Sequence, residues 1–204
     1  MAERVQLETF QTPAGEAVFP WLSRMDTQHD ASGVFHTDLA LPPELAEEFA
    51  VKLERIRDEF AASLPQAKQA SLVARPVSKL EMTRPVYPEN ATPEQKKALK
   101  DAHEPEPTGN VLFRFKLKAN VTTKSGESFS QEPVLVMADT GEACTDPIYG
   151  GSIIKIRGQV VPYTNDSAGN YGVALRMKAV QVLDLKTGSG SGNAHWTDFD
   201  ETGS

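Results

Sequence analysis

Lys and Arg alternate with apolar residues along three short stretches: Phe113-Arg114-Phe115-Lys116-Leu117-Lys118, Ile154-Lys155-Ile156-Arg157 and Val173-Ala174-Leu175-Arg176-Met177-Lys178. A period of two is that of a β-strand, whose successive side chains point to opposite faces. Each stretch therefore predicts a strand with one apolar face for a core and one basic face turned away from it. Two earlier segments, 16–26 and 33–41, are rich in apolar residues and are separated by the polar Gln28-His29-Asp30-Ala31-Ser32, which predicts a first hairpin. Pro20 places its strand at an edge or a bulge, because proline cannot donate to a ladder. Phe19, Trp21 and Phe35 are assigned to the core. A second hairpin is expected over 110–138, turning at 123–127 and returning through Val134-Leu135-Val136-Met137. A third joins 152–163 to 171–185 around Asn165-Asp166-Ser167-Ala168-Gly169-Asn170, residue types that tolerate tight left-handed turns.

One segment carries a sustained helical period. Leu45, Phe49, Leu53, Ile56 and Phe60 recur at helical spacing over 43–63; Pro43 and Glu44 suit a first turn, and Pro65 ends the run. Such a helix would plug or brace a barrel. Residues 66–110 contain Pro76, Pro85, Pro88, Pro93, Pro105 and Pro107 and read as an irregular insertion with one short charged helix near 93–100. Arg75, Lys79, Arg84 and Tyr87 lie in it as solvated loop residues within reach of a nucleic acid. Six short strands with regular turn signals and one helix predict a mainly β, closed or nearly closed small barrel over 1–186. After it, residues 187–204 form a Gly/Ser linker and a tail, His195-Trp196-Thr197-Asp198-Phe199-Asp200-Glu201.

The net charge of −7 would hide a basic surface, yet residues 111–186 alone have a positive balance. Arg114, Lys116, Lys118, Lys155, Arg157, Arg176 and Lys178 are therefore expected to line one trough that receives a polyanion. The bland alternative is that these cations merely keep a sheet face soluble. Tyr163 shares the parity of Lys155 and Arg157, and Tyr171 sits across the same hairpin loop. Cations beside aromatic platforms suit single-stranded nucleic acid, which has a charged backbone and open base faces. The acidic, aromatic tail (Trp196, Asp198, Phe199, Asp200, Glu201) mimics a short nucleic acid, so it is expected to compete for the trough or to contact partner proteins.

Other chemistries find little in the sequence. One cysteine, Cys144, allows no internal disulfide, and the four histidines share no ligand spacing with it, so neither metal nor cofactor is expected. No stretch is apolar enough to span a membrane, and the first residues lack an apolar signal core, which fits a cytoplasmic protein. Val134 to Gly141 ends in Asp139-Thr140-Gly141, as aspartic proteases do, but in one copy and followed by Glu142. That reading is a remote alternative to a non-enzymatic role.

The hairpin Asp146-Pro147-Ile148-Tyr149-Gly150-Gly151-Ser152 through Gly169-Asn170-Tyr171-Gly172-Val173-Ala174-Leu175 to Val180-Gln181-Val182, with the tail Trp196 to Glu201, resembles the single-stranded-DNA-binding proteins of tailed bacteriophages. The resemblance implies an OB-fold-like barrel and a role in phage DNA replication, recombination and repair. It also implies contact of the tail with a phage DNA polymerase or helicase-primase, allows a homodimer, and places the protein in the host cytoplasm. An RNA-binding OB module and a protein-interaction domain with a basic face are the alternatives. This tail departs from the family's pattern by ending Thr202-Gly203-Ser204 instead of in an aromatic residue.

Overall fold

Alternation of apolar and polar residues carries the chain into strands that close on one another. The computed structural model describes residues 7–28, 30–123 and 125–187. In chain order these form β1 (Thr9–Gln11), β2 (Gly15–Asp26), β3 (Val34–Leu41), helix α1 (Pro43–Ser63), helix α2 (Gln66–Ser71), β4 (Val73–Ala74) and β5 (Lys79–Met82). Helix α3 (Pro93–Ala102), β6 (Pro107–Lys118), β7 (Asn120–Thr122), β8 (Ser128–Ser130), β9 (Val134–Met137), β10 (Ile153–Asn165) and β11 (Asn170–Asp184) follow. β3 lies antiparallel to both β2 and β6, β6 runs parallel to β11, β11 pairs antiparallel with β10, and β10 returns to β2 at Ile153–Ile154. This ring of five strands is the OB arrangement expected from the resemblance.

The inward positions fill the ring. Leu39, Leu41, Phe113, Phe115, Ile154, Ile156, Val160, Met177, Val180 and Val182 are fully buried. Closure also needs bare backbone. A Cβ at Gly15 would stand 2.6 Å from the Ala40 carbonyl oxygen, and one at Gly158 would stand 2.1 Å from that of Arg176. Between β1 and β2 the chain leaves the ladder, and Thr12 patches the gap. Its N–H donates to the Ile156 carbonyl at 3.0 Å, and its Oγ1 accepts from the Ile156 N–H at 2.9 Å.

α1 seals the barrel with Ala46, Phe49, Leu53 and Ile56. Phe49 meets Phe113 edge-on at 4.9 Å and Phe10 at 5.8 Å, and Phe10 lies 5.5 Å from Phe115. Such aromatic pairs contribute about 0.5–1.5 kcal/mol each beyond their buried area. Leu45, expected inward, is instead exposed, and Ala46 takes the inward position. The helix ends at Ser63, ahead of Pro65, as the sequence predicts.

Two further expectations fail in detail. Val134–Met137 does not return against β6; it lies parallel to β11, pairing Ala179–Val182. The apolar pattern marks a strand but does not name its neighbour. Residues 66–110 are also more ordered than their prolines suggest. α2, β4, β5 and α3 lie there; β5 pairs with β6, and β4 pairs with the start of β11. Thr92 and Gln95 close α3 with a reciprocal capping box.

Candidate nucleic-acid interface

A bulge in β2 decides what the outer face of the barrel carries. Glu16, Ala17 and Val18 pair in step with Ala40, Leu39 and Asp38, but the next partner of β3, His36, meets Trp21. One extra residue has entered β2 around Phe19 and Pro20, and Phe19 takes a left-handed φ of 49° to absorb it. Alternation inverts there. Trp21 and Phe19, assigned to the core from their apolarity, stand on the outer face instead, while Phe35 is buried as expected. The signal was Pro20 inside a strand, which licensed a bulge without fixing its size.

Register then places a row of outward side chains across four strands. Trp21 on β2 faces His36 on β3, His36 faces Lys116 on β6, and Lys116 faces Arg176 on β11. The Trp21 and His36 rings lie 6.2 Å apart, and the Arg24 guanidinium sits 4.8 Å over the indole. His36 Nε2 is 3.1 Å from Asp26 Oδ2. At about 4.8 Å per strand the row is roughly 14 Å long. Phe19 adds an exposed ring with the Arg84 guanidinium 4.1 Å above it.

Beside this row lies a charged cluster with a buried anion. Arg114 grips Asp38 with two hydrogen bonds of 2.7 and 3.0 Å, and Lys79 approaches the same carboxylate at 3.1 Å. Burial pushes the Asp38 carboxyl up, but the hydrogen bonds and charge of Arg114 and Lys79 outweigh it and hold it below the usual carboxylate range. The same contact raises Arg114. Lys118, at the far end of β6, lies 3.9 Å from Asp30.

The predicted cations do not share a single trough. All of them point outward, but a closed barrel turns its outer face through the full circle. Arg114, Lys116 and Lys118 on β6 and Arg176 on β11 are neighbours. Lys155 and Arg157 stand on β10, beyond β11, and Lys178 is turned toward them. Lys116, Lys155, Arg157, Arg176 and Lys178 have no ion-pair partner among the described residues, whereas Arg114 is partly neutralised by Asp38.

The two tyrosines separate as well. The register of β10 against β11 runs unbroken from Gly158 to Asn165, so Tyr163 keeps the outward parity of Arg157 and lies against Gly172. Tyr171 pairs with Thr164 and has the opposite parity to Arg176, so it cannot join the cationic face. Trp196, Asp198, Phe199, Asp200 and Glu201 lie outside the described residues. Asp139 is exposed in a turn after β9, where its carboxylate accepts from the Thr140 N–H at 2.8 Å and Gly141 has φ 71°.

No family model matches the chain. The chain is 30% identical over 97 residues to the single-stranded DNA-binding protein of Enterobacteria phage T3, covering 47% of this chain and 42% of that protein. It is 27% identical over 173 residues to the single-stranded DNA-binding protein of Escherichia phage T7, covering 81% of this chain and 68% of that protein. The match thus spans less than half the length of the T3 relative. The crystal structure of gp2.5, a single-stranded DNA binding protein encoded by bacteriophage T7, is similar with a TM-score of 0.63 at 21% identity, covering 92% of this chain and 95% of that one. These findings bear out the resemblance to phage single-stranded-DNA-binding proteins and the small β-barrel fold.

Proposed function

We propose that the chain is a phage single-stranded-DNA-binding protein that holds the strand, without regard to base sequence, across the outer face of β3 and β6. The row Trp21, His36, Lys116 and Arg176 carries this reading. It crosses the second and third strands of the five-stranded ring, the face on which OB barrels bind oligonucleotides. Trp21 and Phe19 supply the stacking platforms, each worth about 1–3 kcal/mol per base. Lys116 and Arg176 neutralise phosphates, joined by Lys118 and by the exposed faces of Arg114 and Lys79. No bond is made or broken; the protein coats exposed DNA during replication, recombination and repair in the host cytoplasm.

The composition of the tail supports a second part of the reading. The acidic, aromatic segment Trp196 to Glu201, on its Gly/Ser linker, contacts a phage DNA polymerase or helicase-primase and competes for the DNA face. A homodimer would place two such tails and two faces together.

The test is a fluorescence-anisotropy titration of oligo-dT at several salt concentrations, with a matched RNA oligomer beside it. Affinity should fall steeply with salt, and Lys116→Glu should weaken binding and flatten the slope by about 0.7 or more. A wild-type slope near zero, or tighter binding of the RNA, would overturn the assignment to single-stranded DNA.

A further inference from the structure

On the side of the barrel away from the β3–β6 face lies a cleft of about 460 Å³ between β1, β10, β11 and α1, with Phe10 and Gly158 at its floor. Thr9, Gln11, Lys52, Arg157, Gln159 and Lys178 line it. Lys178 reaches it because of an irregularity. Gly158 pairs with Met177, but Arg157 pairs with Ala179, so Lys178 is the extra residue of a bulge. Lys52 is held in place by donating to the Thr9 carbonyl at 2.8 Å. Arg157 and Lys178 meet no carboxylate among the described residues, and the nearby Glu8 is engaged by Arg55 at 2.9 Å. The occupant the cleft is built for is therefore anionic.

The strand register says which anion reaches it. Arg176, the last member of the front row, pairs with Gln159 on β10, and Gln159 pairs with Thr9 on β1. One uninterrupted row of outward positions thus runs Trp21, His36, Lys116, Arg176, Gln159, Thr9. Its five inter-strand steps cover roughly 24 Å, against roughly 14 Å for the front row alone. We infer that this cleft is a second phosphate-binding subsite, taken by the continuation of the same DNA strand after it crosses β11 at Arg176. The strand wraps the barrel instead of leaving it at the edge of the front face. The inference rests on the proposed function and sets the length of DNA that one protein engages.

The experiment compares two thymidine oligomers, of about 4 and about 12 nucleotides, at the low end and in the upper part of the range for such barrels. They are titrated against the full chain and against a double variant, Arg157→Gln with Lys178→Gln. Both residues are exposed, so the thermal melt of the variant should match wild type. The inference expects unchanged binding of the short oligomer. The long one should bind about tenfold more weakly at low salt, with a salt slope flatter by about 1.4. Equal binding of the long oligomer by both proteins overturns it, and so does tighter binding by the variant, which would mark the cleft as a seat for another anion. Lys116→Glu separates the two readings. If it abolishes binding of both oligomers while the cleft variant binds like wild type, the front face stands and the second subsite falls. If wild type binds neither oligomer, both fall.

Discussion

Replacing Asp38 by Asn should make the protein less stable and a better DNA binder at once. The Asp38 side chain is 5% exposed, while its partners Arg114 and Lys79 are 56% and 55% exposed. Breaking a fully buried ion pair costs about 3–5 kcal/mol because a stranded charge stays out of water. Here both cations can turn to solvent, so most of that penalty is relieved. An exposed pair, by contrast, is worth under about 1 kcal/mol. Two short hydrogen bonds to a buried carboxylate lie between these limits, near 2 kcal/mol. For a chain of this size that is a fall in melting temperature of about 4–8 °C. On the binding side, the substitution removes one negative charge from the face and frees Arg114 and Lys79. A unit charge about 7 Å from a phosphate in water is worth about 0.6 kcal/mol, close to threefold in affinity. The salt slope should steepen by about 0.7.

The assay is a urea melt paired with oligo-dT titration at several salt concentrations. Acid adds a second check. The Asp38 carboxyl is held below its ordinary value of 3.8, so its contribution is complete well above that value and disappears as pH falls through the folded-state one. The stability gap between wild type and Asp38→Asn should therefore be constant near neutrality and close in strong acid. A variant of unchanged stability with weaker DNA binding would refute the reasoning, because Asp38 would then be contacting the ligand and not restraining the cations.

Trp21→Ala should weaken oligo-dT binding by about 1–3 kcal/mol with little change in salt slope, because it removes stacking and not charge; Tyr171→Ala should leave affinity unchanged, and both are read by the same titration. Gly158→Ala should destabilise the barrel by about 3 kcal/mol in a urea melt, since its Cβ would meet the Arg176 backbone at 2.1 Å and the Phe10 ring at 2.7 Å. Leu53→Ala should cost about 2–5 kcal/mol by opening a cavity under the helix that seals the barrel, with the salt slope of DNA binding unaltered.

The sequence by itself determined the five strands of the ring, the helix over 43–63 and the outward direction of the cations. Each of these is a local consequence of side-chain period, with Pro43 and Pro65 marking the helix ends. Lys and Arg on one parity of several strands also pointed to a polyanion, the partner class that the proposed function takes up. Only the tertiary structure decided which outward residues meet. The extra residue beside Pro20 turned Trp21 and Phe19 from core to surface, and the parity of a single pair, Thr164 with Tyr171, removed Tyr171 from the cationic face. Closure of the ring divided the cations between a front and a back. Periodicity reports which side of its own strand a residue occupies. Neighbours across strands depend on register and closure, and those are set by contacts between residues far apart in the chain.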